Sequence, residues 1–165
     1  MCDIIIVDDD KLIREDVKTI MEWEKYGFRI VGEANNGMDA IKLINSSHVD
    51  IVITDIYMPI LNGIELIRSV KSSHPDIKFL VISNYDDFGF VKEAMKLGAS
   101  DYLLKYEIEK NNLIFLIENL KREIVEEKRL KNDAMNKFIM NDKTQTYLIE
   151  QFLRNVLNDT SQKEK

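Results

Sequence analysis

Five short runs of β-branched and apolar residues, each followed by a stretch of helical periodicity, constrain this chain more than any other feature. The runs are Ile4-Ile5-Ile6-Val7, Phe28-Arg29-Ile30-Val31-Gly32-Glu33, residues 50–54, residues 77–82 and a last one around 100–104. Each is too short for a helix and reads as a strand. Between them, Leu12, Ile13, Val17, Ile20 and Met21 recur at helical spacing behind Asp10, a side chain suited to cap a helix N-terminus. Asn36-Gly37 reads as a turn before a helix with Ala40, Ile41 and Ile44 on its inner face. A third helix over 63–72 follows Pro59 and Asn62-Gly63, and a fourth over 86–97 is capped by Asp86 and stopped at Gly98. A fifth begins near Glu107. Such alternation predicts an α/β fold, a parallel sheet covered on both faces with right-handed crossovers.

Parallel strands share one carboxyl edge, and this prediction brings distant residues together. Asp8 and Asp9 follow the first strand, Asp55 the third, Ser83 the fourth and Lys105 the fifth. A single aspartate after a strand is ordinarily a turn or cap residue; the set is what points to chemistry. Three carboxylates in one place repel unless a hard divalent cation stands among them, and magnesium suits oxygen ligands with retained water. Asp9 and Asp55 are its expected direct ligands, with a backbone carbonyl just after Asp55, that of Tyr57, and Asp8 holding water. Asp55 is then a nucleophile toward phosphorus, Lys105 neutralises charge on the transferring group, and Ser83 donates to a phosphate oxygen.

Composition narrows the remaining classes. The 165 residues suffice for one domain with a full core and some chain left over. Apolar residues make up 45% and charged ones 32%, an ordinary globular balance, and no apolar stretch is long enough to cross a bilayer. The N-terminus carries no basic segment ahead of a signal-like apolar core, so the cytoplasm is the expected location, and no membrane partner is expected. The single cysteine, Cys2, permits no internal disulfide and fits a reducing compartment. A net charge of −6 argues against general polyanion binding by this chain, so contact with DNA would need another domain. His48 and His74 lie in polar turns, and Trp23 at a helix end reads as a packing anchor.

The character changes after Lys121. Leu113, Leu116, Ile117, Leu120 and Ile124 form an apolar stripe that fades at Lys128 and Lys131, with favourable Glu118–Arg122 and Glu127–Lys131 spacings alongside. A polar break at Asn141-Asp142-Lys143 precedes a second amphipathic piece, Leu148, Phe152, Leu153, Val156 and Leu157. Residues 1–121 are therefore expected to form the domain, and 122–165 a helical linker or dimerisation segment, with a short coiled coil between two copies as one use of the stripe.

The stretches Ile4 to Asp10, Asp50 to Pro59, Asn62-Gly63, Val81-Ile82-Ser83 and Leu97 to Lys105 resemble, taken together, the receiver domain of bacterial two-component response regulators. The phrases Trp23 to Phe28, Gly32 to Gly37 and Ser83 to Phe88 resemble receivers joined to a distant AraC-type helix-turn-helix domain. The resemblance implies a flavodoxin-like five-stranded sheet of order 2-1-3-4-5. It further implies Asp8 and Asp9 as the acidic metal pair and Asp55 as acceptor of phosphate from a sensor histidine kinase. Ser83 is then the switch hydroxyl, Tyr102 the switch aromatic and Lys105 the phosphate lysine. A transcriptional output through a domain absent from this chain is expected, and a stand-alone receiver working through protein contacts is the alternative.

Two positions depart from the family pattern. Tyr106 stands where a proline usually follows the lysine, and since a non-proline cis bond costs about 2.5 to 4 kcal/mol, a trans, differently shaped loop is expected. Asn84 is larger than the small residue usual after the switch hydroxyl; with Tyr57 it is expected to slow hydrolysis of a phosphoaspartate. A metal-dependent phosphatase using the same carboxylates is disfavoured, because Tyr57 occupies the place where a second general acid would be expected.

Overall fold

The computed structural model describes residues 1–84 and 87–162, with side chains given except at 141 and from 152 onward. Five strands, β1 (Cys2–Val7), β2 (Phe28–Ala34), β3 (Ile51–Asp55), β4 (Lys78–Ser83) and β5 (Asp101–Leu104), form one sheet of order β2-β1-β3-β4-β5 with every neighbouring pair parallel. The predicted α/β class and the flavodoxin-like strand order are both present. The central strands β1, β3 and β4 are buried at every residue, whereas β2 alternates between buried and open positions. That contrast follows from position: a strand covered on both faces needs a continuous apolar run, and an edge strand does not.

Helices α1 (Lys11–Thr19), α2 (Gly37–Ser46), α3 (Gly63–Ser73), α4 (Phe88–Lys96) and α5 (Lys110–Gln162) complete the alternation. Successive strand side chains point to opposite faces, and two cores result. Ile5, Val7, Val52, Phe79 and Val81 pack with α2, α3 and α4. Ile4, Ile6, Ile51, Ile53, Leu80 and Ile82 pack with Val17 of α1 and with Leu113, Ile117, Leu120 and Ile124 of α5. Trp23 is buried and donates its indole N–H to the carbonyls of Val17 and Lys18, the anchor role expected of it.

Several boundaries differ from the sequence expectation. Asn36 and Gly37 do not form a free turn: Asn36 caps α2 through Asp39 N–H, and Gly37 is its first residue. Asp87 stands at the N-cap position of α4 without a side-chain capping bond; Asp86, the expected cap, lies outside the described residues. A short 3-10 turn, Lys105–Glu107, intervenes before α5, which starts at Lys110 and not near Glu107. No break occurs at Asn141-Asp142-Lys143, where α5 continues uninterrupted. None of those three is Gly or Pro, so the stretch lowers helix propensity without removing a backbone donor. Leu148 is exposed, while Phe152, Leu153, Val156 and Leu157 lie outside the residues whose side chains are described. The chain divides into one compact unit, Met1–Ile124, and a second from Val125 on.

Candidate functional site

The carboxyl ends of β1, β3 and β4 and the turn after β5 deliver the site. Asp55 is the last residue of β3 and Ser83 the last of β4, so the strands themselves fix both. Asp8 and Asp9 follow β1, where Asp8 is buried and Asp9 exposed. Asp8 is held by its neighbours: its Oδ1 accepts Asp10 N–H at 2.8 Å, and its carbonyl accepts Arg14 Nη1 at 2.6 Å. Asp55 Oδ1 accepts the Ile56 N–H at 2.7 Å. A Cβ on Gly63 would lie 2.1 Å from the Asp55 carbonyl oxygen, so only glycine lets α3 begin this close to the strand end.

One oxygen from each of Asp8, Asp9 and Asp55 lies within 4.8 Å of the others, a spacing that a metal ion can bridge. Lys105 Nζ stands 2.9 Å from Asp55 Oδ2 and 3.1 Å from Asp8 Oδ2. The Lys105–Tyr106 peptide is trans, and the lysine still reaches both carboxylates. Burial pushes the Asp8 and Asp55 carboxyls above the ordinary aspartate range, against the pull of Lys105 and of the backbone donors. Burial also works against the charge on Lys105, but its bonds to Asp55 outweigh that and hold its pKa above the usual lysine range.

Two buried atoms at this edge, Asp8 Oδ2 and Ser83 Oγ, have no hydrogen-bond partner among the described residues. Lys105 Nζ stands at ion-pair distance, 3.1 Å, from the first and partly compensates its charge. A buried hydroxyl or carboxylate oxygen left unpaired is destabilising by about 1–3 kcal/mol. Both orphans are oxygen groups at the mouth of an acidic cluster, which fits a bound hard cation and an oxyanion better than an apolar ligand.

The other predicted residues are placed as follows. Tyr102 lies on β5, 45% exposed, and with Asn84, Phe88, Val91 and Leu104 lines a cleft of about 320 Å³. Tyr57 is also half exposed, and its ring meets Phe90 of α4 edge-on at 5.3 Å between centroids. Partial burial, then the nearby charge of Asp87, push the phenol above its usual range. Sequence reasoning missed Arg14, Asp87 and the close approach at Gly63. The Asp86-Asp87 pair signalled a cap one residue early, and nothing in the local pattern marked Arg14. Ile60, in the loop after β3, has φ 71° and is 78% exposed, while Leu61 N–H reaches back to the Pro59 carbonyl at 2.8 Å. A β-branched residue in that region is strained.

Comparison with known proteins places this arrangement. The response regulator receiver domain family matches residues 4–118. The uncharacterized transcriptional regulatory protein YesN of Bacillus subtilis is 34% identical over 98% of this chain and 44% of its own length. The transcriptional regulatory protein DegU of Brevibacillus brevis is 40% identical over 67% of this chain and 46% of its own. The REC domain of AraT, a response regulator from Geobacillus stearothermophilus, superposes with a TM-score of 0.72 at 30% identity, covering 77% of this chain and 98% of that one. The chain spans about half the length of the curated relatives it matches.

Proposed function

The chain belongs to the response regulator receiver domain family, and on that premise we propose that Asp55 accepts a phosphoryl group from a sensor histidine kinase and that the rest of the domain reports its presence. The observation that carries the reading is the pair of orphaned buried oxygens, Asp8 Oδ2 and Ser83 Oγ, set around a carboxylate already touched by Lys105. In the transfer step an Asp55 carboxylate oxygen forms a bond to phosphorus as the bond from phosphorus to the donor's imidazole nitrogen breaks, and the donor keeps that electron pair. Lys105 neutralises charge on the transferring group, and Ser83 Oγ donates to one of its oxygens. Asp8, Asp9, Asp55 and the Tyr57 carbonyl would hold magnesium, which supplies positive charge against the phosphoryl oxygens when bound.

Phosphorylation adds about −1.5 to −2 charges and new acceptor oxygens at Asp55. Ser83 is drawn inward, and Tyr102 follows into the cleft beside α4, altering the surface of α4, β5 and the start of α5. The domain is also proposed to hydrolyse its own phosphoaspartate, slowly because Tyr57 and Asn84 stand at the entrance; replacing Asn84 with alanine then speeds dephosphorylation. Residues 122–165 serve as linker or dimerisation segment, with Leu130 and Phe138 exposed on that helix. The output, by likeness to the transcriptional regulators above, is control of transcription through a DNA-binding domain beyond this chain.

Incubation with acetyl phosphate and magnesium, followed by intact-mass measurement, tests the reading. The native chain gains one phosphoryl group and Asp55→Ala gains none; uptake by the variant, or none by the native chain, overturns it.

A further inference from the structure

Two elements that contribute no carboxylate to the acidic cluster, α1 and β2, meet behind it. Arg14 of α1, its side chain 13% exposed, donates from Nη1 to the Asp8 carbonyl at 2.6 Å and from Nε to Glu33 Oε2 at 3.2 Å. Glu33, on β2, also takes Lys18 Nζ at 3.2 Å. Burial works against the Glu33 charge, but the bonds from Lys18 and Arg14 outweigh it and hold the carboxyl below the usual glutamate range. The next residue of β2, Ala34, accepts the Asp8 N–H at 3.1 Å. Both backbone groups of Asp8 are thus tied to the edge strand, the N–H directly and the carbonyl through the Arg14–Glu33 pair.

We propose that Arg14, braced by Glu33, is a positioning residue that sets the Asp8-Asp9 turn for a divalent cation. The inference deepens the reading of Asp55 as phosphoacceptor and rests on it. A peptide is planar, so holding the Asp8 carbonyl fixes the plane of the Asp8–Asp9 bond and the direction in which the Asp9 Cα leaves it. Asp8 has a second hold on the turn, since its Oδ1 accepts the Asp10 N–H at 2.8 Å. Asp9 is exposed, and its carboxylate takes its direction from the peptide behind it. A guanidinium suits the task, because its donors diverge from one rigid plane and reach two partners at once, a geometry that a lysine ammonium on its flexible stem does not reproduce. Glu33 offsets the charge of Arg14, so the pair orients the turn without opposing an incoming cation.

Arg14→Met keeps an unbranched stem and removes both donors. Calorimetric titration of the metal-free full chain with magnesium chloride, with no phosphodonor present, gives this variant a dissociation constant roughly tenfold above native, the low end of what losing an outer hydrogen-bond partner costs a metal site. Glu33→Gln, a change of the same shape on an edge strand, weakens magnesium by a smaller factor. The double variant is no weaker than Arg14→Met, because Glu33 acts through Arg14. Phosphate uptake from acetyl phosphate then needs roughly tenfold more magnesium for its half-maximal rate, and the rate at saturating magnesium returns to within about twofold of native. A residue that merely steadied α1 would lower the denaturant midpoint and leave the magnesium constant alone, and one that acted by charge alone would tighten magnesium when removed. A constant for Arg14→Met within about twofold of native or below it, multiplicative losses in the double variant, or no magnesium binding by the native chain each overturn the proposal. A native chain that binds magnesium with these differences among the variants yet takes up no phosphate is a separate result, and falls on the phosphoacceptor reading.

Discussion

The sheet buries aspartates at both of its ends, and the two ends treat them in opposite ways. At the amino edge, Asp3 and Asp50 are each 7% exposed. Asp3 receives Arg29 Nε at 3.0 Å and Nη2 at 2.9 Å, while its backbone N–H donates to Asp50 Oδ2 at 3.0 Å and its carbonyl accepts Asp50 N–H at 2.9 Å. His48 adds a contact to Asp50 at 3.2 Å. At the carboxyl edge, Asp8 and Asp55 share a single lysine, two oxygens are left without hydrogen bonds, and Ile60 is held at a strained φ nearby. A buried carboxylate whose lone pairs are filled stabilises the fold; one whose lone pairs are kept open is available to a ligand.

The sharpest test of that contrast is Lys105→Ala. It leaves two buried carboxylates with no cation, and stability without metal at neutral pH should fall by about 2 kcal/mol. Magnesium should restore more of that loss than it adds to the native protein, as read from denaturant midpoints. Equal gains for both proteins would mean the carboxylates do not share the lysine's charge. At the other edge, Asp50→Ala removes the acceptor of Asp3 N–H and should lower stability by about 2 kcal/mol while leaving phosphate uptake from acetyl phosphate unchanged. A parallel loss of uptake would break the division between the edges.

Asp8→Asn should instead stabilise the metal-free protein, by about 1 kcal/mol, with a definite pH dependence. The folded-state pKa of Asp8 is raised above its unfolded value of 3.8. Between the two values the native state binds more protons than the unfolded one, so native stability drops as pH climbs through that window. The advantage of Asp8→Asn should therefore be absent below the unfolded pKa, grow as pH climbs from the unfolded to the raised folded value and level off above it. A gain that grows toward acid would reverse the assignment. The smallest effect belongs to Ile60→Gly, which relieves the strained turn at the expense of a freer unfolded chain and should raise stability by about 0.5 kcal/mol, measurable by thermal melting.

Much of the site was legible because it depends on strand ends. A run such as Ile51-Val52-Ile53 declares a strand by local composition, and parallel strands place their last residues on one edge whatever lies between them in sequence. Asp55, Ser83 and Lys105 fall where that rule puts them. Helix starts were less legible: at α4 the N-cap residue Asp87 makes no side-chain capping bond and its carboxylate accepts the Asn84 N–H instead, a choice the Asp86-Asp87 pair does not reveal. The absent break at Asn141-Asp142-Lys143 shows the converse error, polarity taken for a loop where no residue forbids the helix.

The sequence by itself determined the alternation, the parallel sheet and the identity of the groups at its carboxyl edge, since hydrophobic periodicity is a property of neighbours along the chain. Only the tertiary structure decided which buried aspartates are satisfied. Arg29 meets Asp3 across 26 residues and Lys105 meets Asp55 across 50. Hydrogen bonds are directional and short, so whether a given oxygen is filled or left open depends on backbone placements of a fraction of an ångström that no pattern of residue types records.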